Sequence, residues 1–269
     1  MRKEKNKANY YINQRKPFFN FVKRIARFFV KKPEIINLND TPLHDKAVFL
    51  SNHGINGLGG LFAHELYFPK TFIPLGQYEM FSNFRERWFY LYELHYKMRQ
   101  GETVIVSFLK ATFVALFSRM IYKGAQIIPT FNDARSIYTV KKCVETFDSN
   151  NAIMLYPENL DDLYNNIFRE FHAGFVAIVE LYHKRRGIDL PIYPVYYSHQ
   201  LNMIVIGKYE HAIPLLQKGM TKEQVADFFK NKLNNLFVDY VEPKVRAKLD
   251  YLSKKINKYA AKKHNFKRL

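Results

Sequence analysis

Ala47-Val48-Phe49-Leu50-Ser51-Asn52-His53-Gly54 passes directly from an uninterrupted apolar run into polar, glycine-rich chain. Four consecutive apolar residues bounded by turn-forming sequence read as a buried strand. A histidine at the carboxyl end of a strand in an α/β protein stands where such folds usually hold ligands. The glycines between residues 54 and 60 let backbone approach whatever binds there. Taken alone, His53 is equally well a hydrogen-bonded structural histidine in a turn, so the rest of the chain has to decide between the two readings.

Outward from this stretch, apolar runs alternate with helical periodicity. Thr71-Phe72-Ile73-Pro74-Leu75, Gln126 to Phe131, Ala152 to Tyr156, Leu190 to Tyr197 and Met203 to Gly207 read as further strands. Helical spacing is present over 136–148, with Ile137, Val140, Val144 and Phe147 on one face, and a helix is predicted over 166–185. Thr221 followed by Gln224 forms a capping box for a helix carrying Val225, Phe228, Phe229, Leu233, Leu236 and Phe237. This alternation predicts a single α/β domain, a central mixed β-sheet flanked by helices. A basic amphipathic segment (1–38) precedes the domain (39–243), and a basic helical tail (244–269) follows it. The most apolar window, 103–122, contains Lys110 and Arg119, which predicts a buried or membrane-dipping helix rather than a transmembrane one.

Among 269 residues, 48% are hydrophobic, enough for a substantial core and incompatible with global disorder. Cys143 is the single cysteine, so an intramolecular disulfide and a multi-cysteine metal site are both excluded. It follows Lys141-Lys142 in an amphipathic stretch, a structural setting rather than that of a nucleophile. The net charge of +18 is concentrated at the ends. Residues 1–32 hold eleven Lys/Arg against Glu4 alone, residues 244–269 hold ten against Asp250 alone, and the interval between is nearly neutral. Cationic ends seek an anionic surface, a membrane leaflet or a nucleic acid.

The composition of the first segment favours the membrane. Residues 1–16 contain no apolar run, which argues against a secretory signal peptide. From Pro17, phenylalanines interleave with cations, and Phe18, Phe21, Val22, Ile25 and Phe29 share a helical face. That is the pattern of a helix lying in a membrane interface, too short and too charged to span it. The alternative is a helix packed on the body of the same chain. No recognised nucleic-acid motif is present, and a phenylalanine-rich face suits a phosphate backbone poorly, so no nucleic acid is expected.

Three of the strands end in polar signatures: Asn52-His53, Asn132-Asp133-Ala134-Arg135 and Pro157-Glu158-Asn159. If those strands neighbour each other in one sheet, their ends bring together a base, a fixed cation and a carboxylate. A hydroxyl nucleophile needs the base, and a phosphate needs the cation, for which arginine offers a planar fork of donors.

With these residues in order, the chain resembles the glycerolipid acyltransferases, the 1-acyl-glycerol-3-phosphate acyltransferases and their relatives, as a divergent member, from about Val48 to Tyr197. Asn52-His53 resembles the family's first motif, whose histidine is the general base. Asn132 to Arg135 resembles the second, whose arginine meets the acceptor's phosphate. Tyr156-Pro157-Glu158-Asn159 resembles the third, whose glutamate belongs to the acceptor site, and Ile192-Tyr193-Pro194-Val195 resembles the fourth, near the acyl-binding region. Two positions depart from the pattern. Leu58 stands where the first motif carries an aspartate that orients the imidazole, and Asn159 replaces a glycine. Glu65, Glu79, Asp133 and Glu158 are the candidates to supply the carboxylate from elsewhere in the fold.

The resemblance implies acyl transfer from acyl-CoA or acyl carrier protein to the free hydroxyl of a lysophospholipid or glycerol phosphate derivative, with His53 as base. Asn52, Arg135, Glu158 and Asn159 would then bind the acceptor. Backbone amides of the 54–60 loop, at Gly54 and Gly57, would hold the oxyanion. No metal or other cofactor is implied, the acyl thioester being a co-substrate. The expected setting is the cytoplasm, at the inner face of the cell membrane, with anionic phospholipid as partner. The alternative expectation, raised by Leu58, is a non-catalytic lipid-binding or membrane-interaction protein on the same scaffold.

Overall fold

The computed structural model describes residues 17–53, 58–158 and 166–266. Helix α1 (Pro17–Phe29) leads into strand β1 (Glu34–Asn37), and the opening stretch of the sequence becomes β2 (Val48–Ser51). Helix α2 (Leu58–Tyr67) and β3 (Phe72–Gln77) follow. A helical insertion comes next: a single 3-10 turn (Tyr78–Phe81), α3 (Phe84–Phe89), which continues as π-helix over Tyr90–Arg99, and α4 (Val104–Gly124). Strand β4 (Ile128–Thr130), α5 (Ser136–Asp148), β5 (Ala152–Leu155), α6 (Gly174–Arg186), β6 (Pro191–Ser198), β7 (Met203–Ile206) and β8 (Glu210–His211) complete the α/β body. It closes with α7 (Ile213–Gln217), α8 (Lys222–Leu236), a π-helical turn (Phe237–Val241) and α9 (Glu242–Phe266).

The strands form one mixed eight-stranded sheet in the order β1-β7-β6-β2-β5-β3-β4, with β8 beside β6. Strand β2 lies between β5 and β6 and is parallel to both, and β3 continues the parallel run to β4. Strands β7 and β8 pair antiparallel with β6, and β1, parallel to β7, shares their direction. Side chains alternate across a strand, so β2 feeds two cores. Val48 and Leu50 face one with α5, α6 and α8, while Ala47 and Phe49 face the other with Ala63 of α2. Pro194 is tolerated within β6 because its nitrogen lies on the same side as its carbonyl, toward Gly207 at the end of β7 (N to O 2.8 Å), and away from the ladder to β2.

The structure departs from the sequence reading in four elements. β1 lies before residue 39, where the α/β body was expected to begin, and pairs in parallel with β7. Its four residues carry only two apolar side chains, so the partner strand and not a local pattern makes it a strand. The short strand β8 and helix α7 likewise have no expectation attached to them. The helix predicted from residue 166 starts at Gly174. The backbone before it is used otherwise: the amide group of Asn234 in α8 bonds both Phe168 N and Phe168 O, and Phe171 bridges to Glu158.

The N-terminal helix does pack on the body, through the side opposite its phenylalanine face. Phe19 is buried against Gly124, Lys23 pairs with Glu65 at 3.0 Å, and Arg27 bonds Leu66 O at 3.0 Å. Phe18, Phe21, Ile25, Phe28 and Phe29 point outward. Among the described residues α4 is the one helix long and apolar enough to cross a membrane.

Candidate active site

His53 follows β2, and Glu158 follows the neighbouring parallel β5. The register Leu50↔Leu155 brings the two ends to the same height at the carboxyl edge of the sheet. There the Glu158 carboxylate accepts a hydrogen bond from the backbone N–H of His53, and the same oxygen, Oε1, lies 3.1 Å from His53 Nδ1. One carboxylate thus holds both the main chain and the ring. The Glu158 side chain is only 6% exposed, against 19% for His53, so the pair sits at the rim with the acid inside. The bridge to Phe171 and the bond from His172 N to Pro157 O (2.8 Å) fix the backbone that carries the acid.

Among the candidate carboxylates, Glu158 is the one that meets the His53 ring. Of the other candidates, Glu65 is engaged by Lys23 and Asp133 by Arg135. With Nδ1 directed at the acid, the tautomer protonated on Nδ1 carries its basic lone pair on Nε2. The ring of Tyr156 lies over that of His53, with 4.4 Å between centroids.

A second layer stands behind the pair. The buried imidazole of His64 in α2 links Ser51 Oγ (3.3 Å from Nε2) to the Tyr156 hydroxyl (3.3 Å from Nδ1). Burial pushes the His64 pKa down to about 3, so this ring is neutral at any physiological pH, one nitrogen donating and the other accepting. Burial also raises the Tyr156 phenol well above its ordinary range, keeping it a hydroxyl. Helix α2 approaches closely because Gly60 has no side chain. A Cβ there would come within 2.7 Å of His53 O and 3.0 Å of Asn52 O.

Asn52, expected to bind substrate, is instead directed into the fold. Its Oδ1 accepts from Tyr197 N at 2.7 Å and its Nδ2 donates to Tyr197 O at 2.9 Å, tying the end of β2 to β6. Arg135 stands on the same sheet edge but beyond β4, which is separated from β2 by β5 and β3, about 14 Å at the usual strand spacing. Its guanidinium lies beside the rings of Tyr78 (4.6 Å) and Phe131 (4.5 Å), which stack on each other, and bonds Asp133 through Nε and Nη2, the latter at 2.7 Å. Arg135 and the His53–Glu158 pair thus share an edge without touching. Gly54, Gly57 and Asn159 lie outside the described residues.

No motif in the sequence singles out His64. The signal was a histidine set among Leu61, Phe62 and Ala63 in a helix, where a ring that is buried must find partners. The role of Ser51 had no such signal, because nothing local distinguishes a serine that ends a strand from one beneath a site.

No protein-family model, curated protein sequence or solved structure matches this chain significantly.

Proposed function

We propose that this protein is an O-acyltransferase of the glycerolipid type working at a membrane surface. It moves a fatty acyl group from acyl-CoA or acyl carrier protein to the free hydroxyl of a lysophospholipid or glycerol phosphate derivative. The observation that carries the reading is the 3.1 Å approach of His53 Nδ1 to a buried carboxylate at the carboxyl edge of adjacent parallel strands. An acid so placed orients the imidazole and stabilises its cation, as in a serine-protease triad. In this scheme His53 Nε2 takes the proton of the acceptor hydroxyl. The resulting alkoxide attacks the thioester carbonyl, the carbon–sulfur bond breaks, and the departing thiolate receives the proton back from the imidazolium. Arg135 receives the acceptor's phosphate from the far side of the same edge.

Thiol release and diacyl product from acyl-CoA and lysophosphatidic acid test the chemistry. His53→Ala is expected to abolish turnover, and Glu158→Gln to lower it on the order of 10³- to 10⁴-fold while leaving the melting temperature of the protein nearly unchanged. Equal thiol release by wild type and His53→Ala would remove the base from the scheme. The second reading, a lipid-binding protein without turnover, is favoured by Leu58 in place of the motif aspartate. It requires vesicle binding with no acyl transfer from any thioester donor.

A further inference from the structure

Helix α4 is built inside out for a protein surrounded by water. Ser107, Ala111, Ala115 and Ser118 recur at intervals of four, four and three, and all are buried. Ile105, Leu109, Phe113 and Leu116 repeat the same intervals two positions earlier, on the opposite side of the helix, and are 59–74% exposed. The small stripe is held on the protein. Arg87, itself buried, donates from Nε and Nη2 to Ala115 O at 3.0 and 2.8 Å, and Trp88 Nε1 donates to Thr112 Oγ1 at 2.9 Å. The large apolar stripe is left facing outward along a helix about 31 Å long.

Helix α1 docks at the far end of α4, Phe19 against Gly124, and turns its own phenylalanines outward, with Phe28 and Phe29 more than 80% exposed. An outward apolar surface of this extent on two abutting helices marks an interaction site. Its charges identify the occupant. Residues 17–32 and 103–125 together carry eight Lys/Arg and no Asp or Glu; with Lys23 paired to Glu65 and Lys110 to Glu102 the surface keeps a positive balance, which complements an anionic leaflet.

We infer that α4 lies flat in the membrane interface as the principal lipid-contacting element of this protein, with α1 extending the same face, and that α4 does not cross the bilayer. A crossing helix would have to leave α3 and break the bonds of Arg87 and Trp88. The inference rests on the membrane half of the proposed function and is independent of its chemistry.

Binding of the full chain to phosphatidylcholine vesicles containing phosphatidylglycerol is the test. Phe113→Glu with Leu116→Glu is expected to weaken binding at least tenfold with an unchanged melting temperature, because both side chains are outside the core. Thiol release from a short-chain acyl-CoA with glycerol 3-phosphate, which needs no bilayer, should be unaffected in this variant. That readout separates failure of the platform from failure of the catalytic reading. Trp88 is the only tryptophan, so quenching by lipids brominated on the chain reports lipid at α4 directly.

Orientation follows from Thr103→Cys and Lys123→Cys at the two ends of the helix. Cys143 is buried, with its thiol pushed up to about 12, and stays silent. An impermeant maleimide added outside should label both engineered ends on vesicle-bound protein. Labelling of one end only would show a crossing helix and overturn the inference. So would vesicle binding by the Phe113/Leu116 variant equal to wild type, and so would a lipid-free dimer that this variant dissolves while vesicle binding persists.

Discussion

His64 connects stability to the candidate site through a single ring. In the folded chain its pKa is held near 3 by burial, whereas an exposed histidine titrates near 6.5. Below pH 6.5 the unfolded chain therefore takes up a proton that the folded chain refuses. The stabilisation is complete above pH 6.5 and is lost as pH falls from there toward 3, by about 1.4 kcal/mol per pH unit at most. Between pH 7.5 and pH 5 the wild-type protein should lose about 2 kcal/mol more than His64→Gln, as read by urea denaturation. Equal losses would show that His64 accepts its proton in place. The His53–Glu158 pair shows how residue-level reading succeeds and stops. The strand-terminal histidine and the Pro-Glu motif are both visible in the chain, separated by more than a hundred residues. Which of four carboxylates reaches the imidazole is a matter of strand order, and only the adjacency of β2 and β5 selects Glu158.

At the scale of elements, Arg135 is a cation already partnered. Asp133 grips it from two residues away, and the pairing draws the Asp133 carboxyl below its usual range while raising the guanidinium further. If Arg135 meets a phosphate, Asp133 competes with that phosphate. Arg135→Ala should raise KM for a phosphate-bearing acceptor by about tenfold or more, the worth of a charged hydrogen bond. Asp133→Asn, which leaves the Tyr78 and Phe131 ring contacts intact, should lower KM. An unchanged KM in both variants would place acceptor recognition elsewhere. The start of α8 was legible to the residue, because a Thr221–Gln224 capping box is a local device and both of its bonds form; its end was not, since Phe237 already belongs to the π-helical turn. Helices α1 and α4 were legible as helices but not in orientation. Apolar periodicity marks a face without saying whether protein or lipid covers it, and in α4 the small residues are the ones turned inward.

The whole molecule is held by two cores on either side of the sheet and a third cluster within the insertion between β3 and β4. Phe229 of α8 is fully buried against Phe175 of α6 (ring centroids 5.7 Å), joining two helices over one face of the sheet. Phe229→Ala should cost about 3–5 kcal/mol in chemical denaturation, and a loss below about 1 kcal/mol would show that this face closes over the gap. Taken by itself, the sequence determined the alternation of strands and helices, the two-faced burial of β2, the basic ends and the residues able to do chemistry. All of these depend on spacing along the chain, which local sterics and water read directly. Tertiary structure alone decided that β1 joins the sheet, that Asn52 points into the fold, that Glu158 and not Glu65 meets His53, and which side of α4 faces out. These depend on which distant segments become neighbours, and that is set by the packing of the whole chain and not by any one stretch of it.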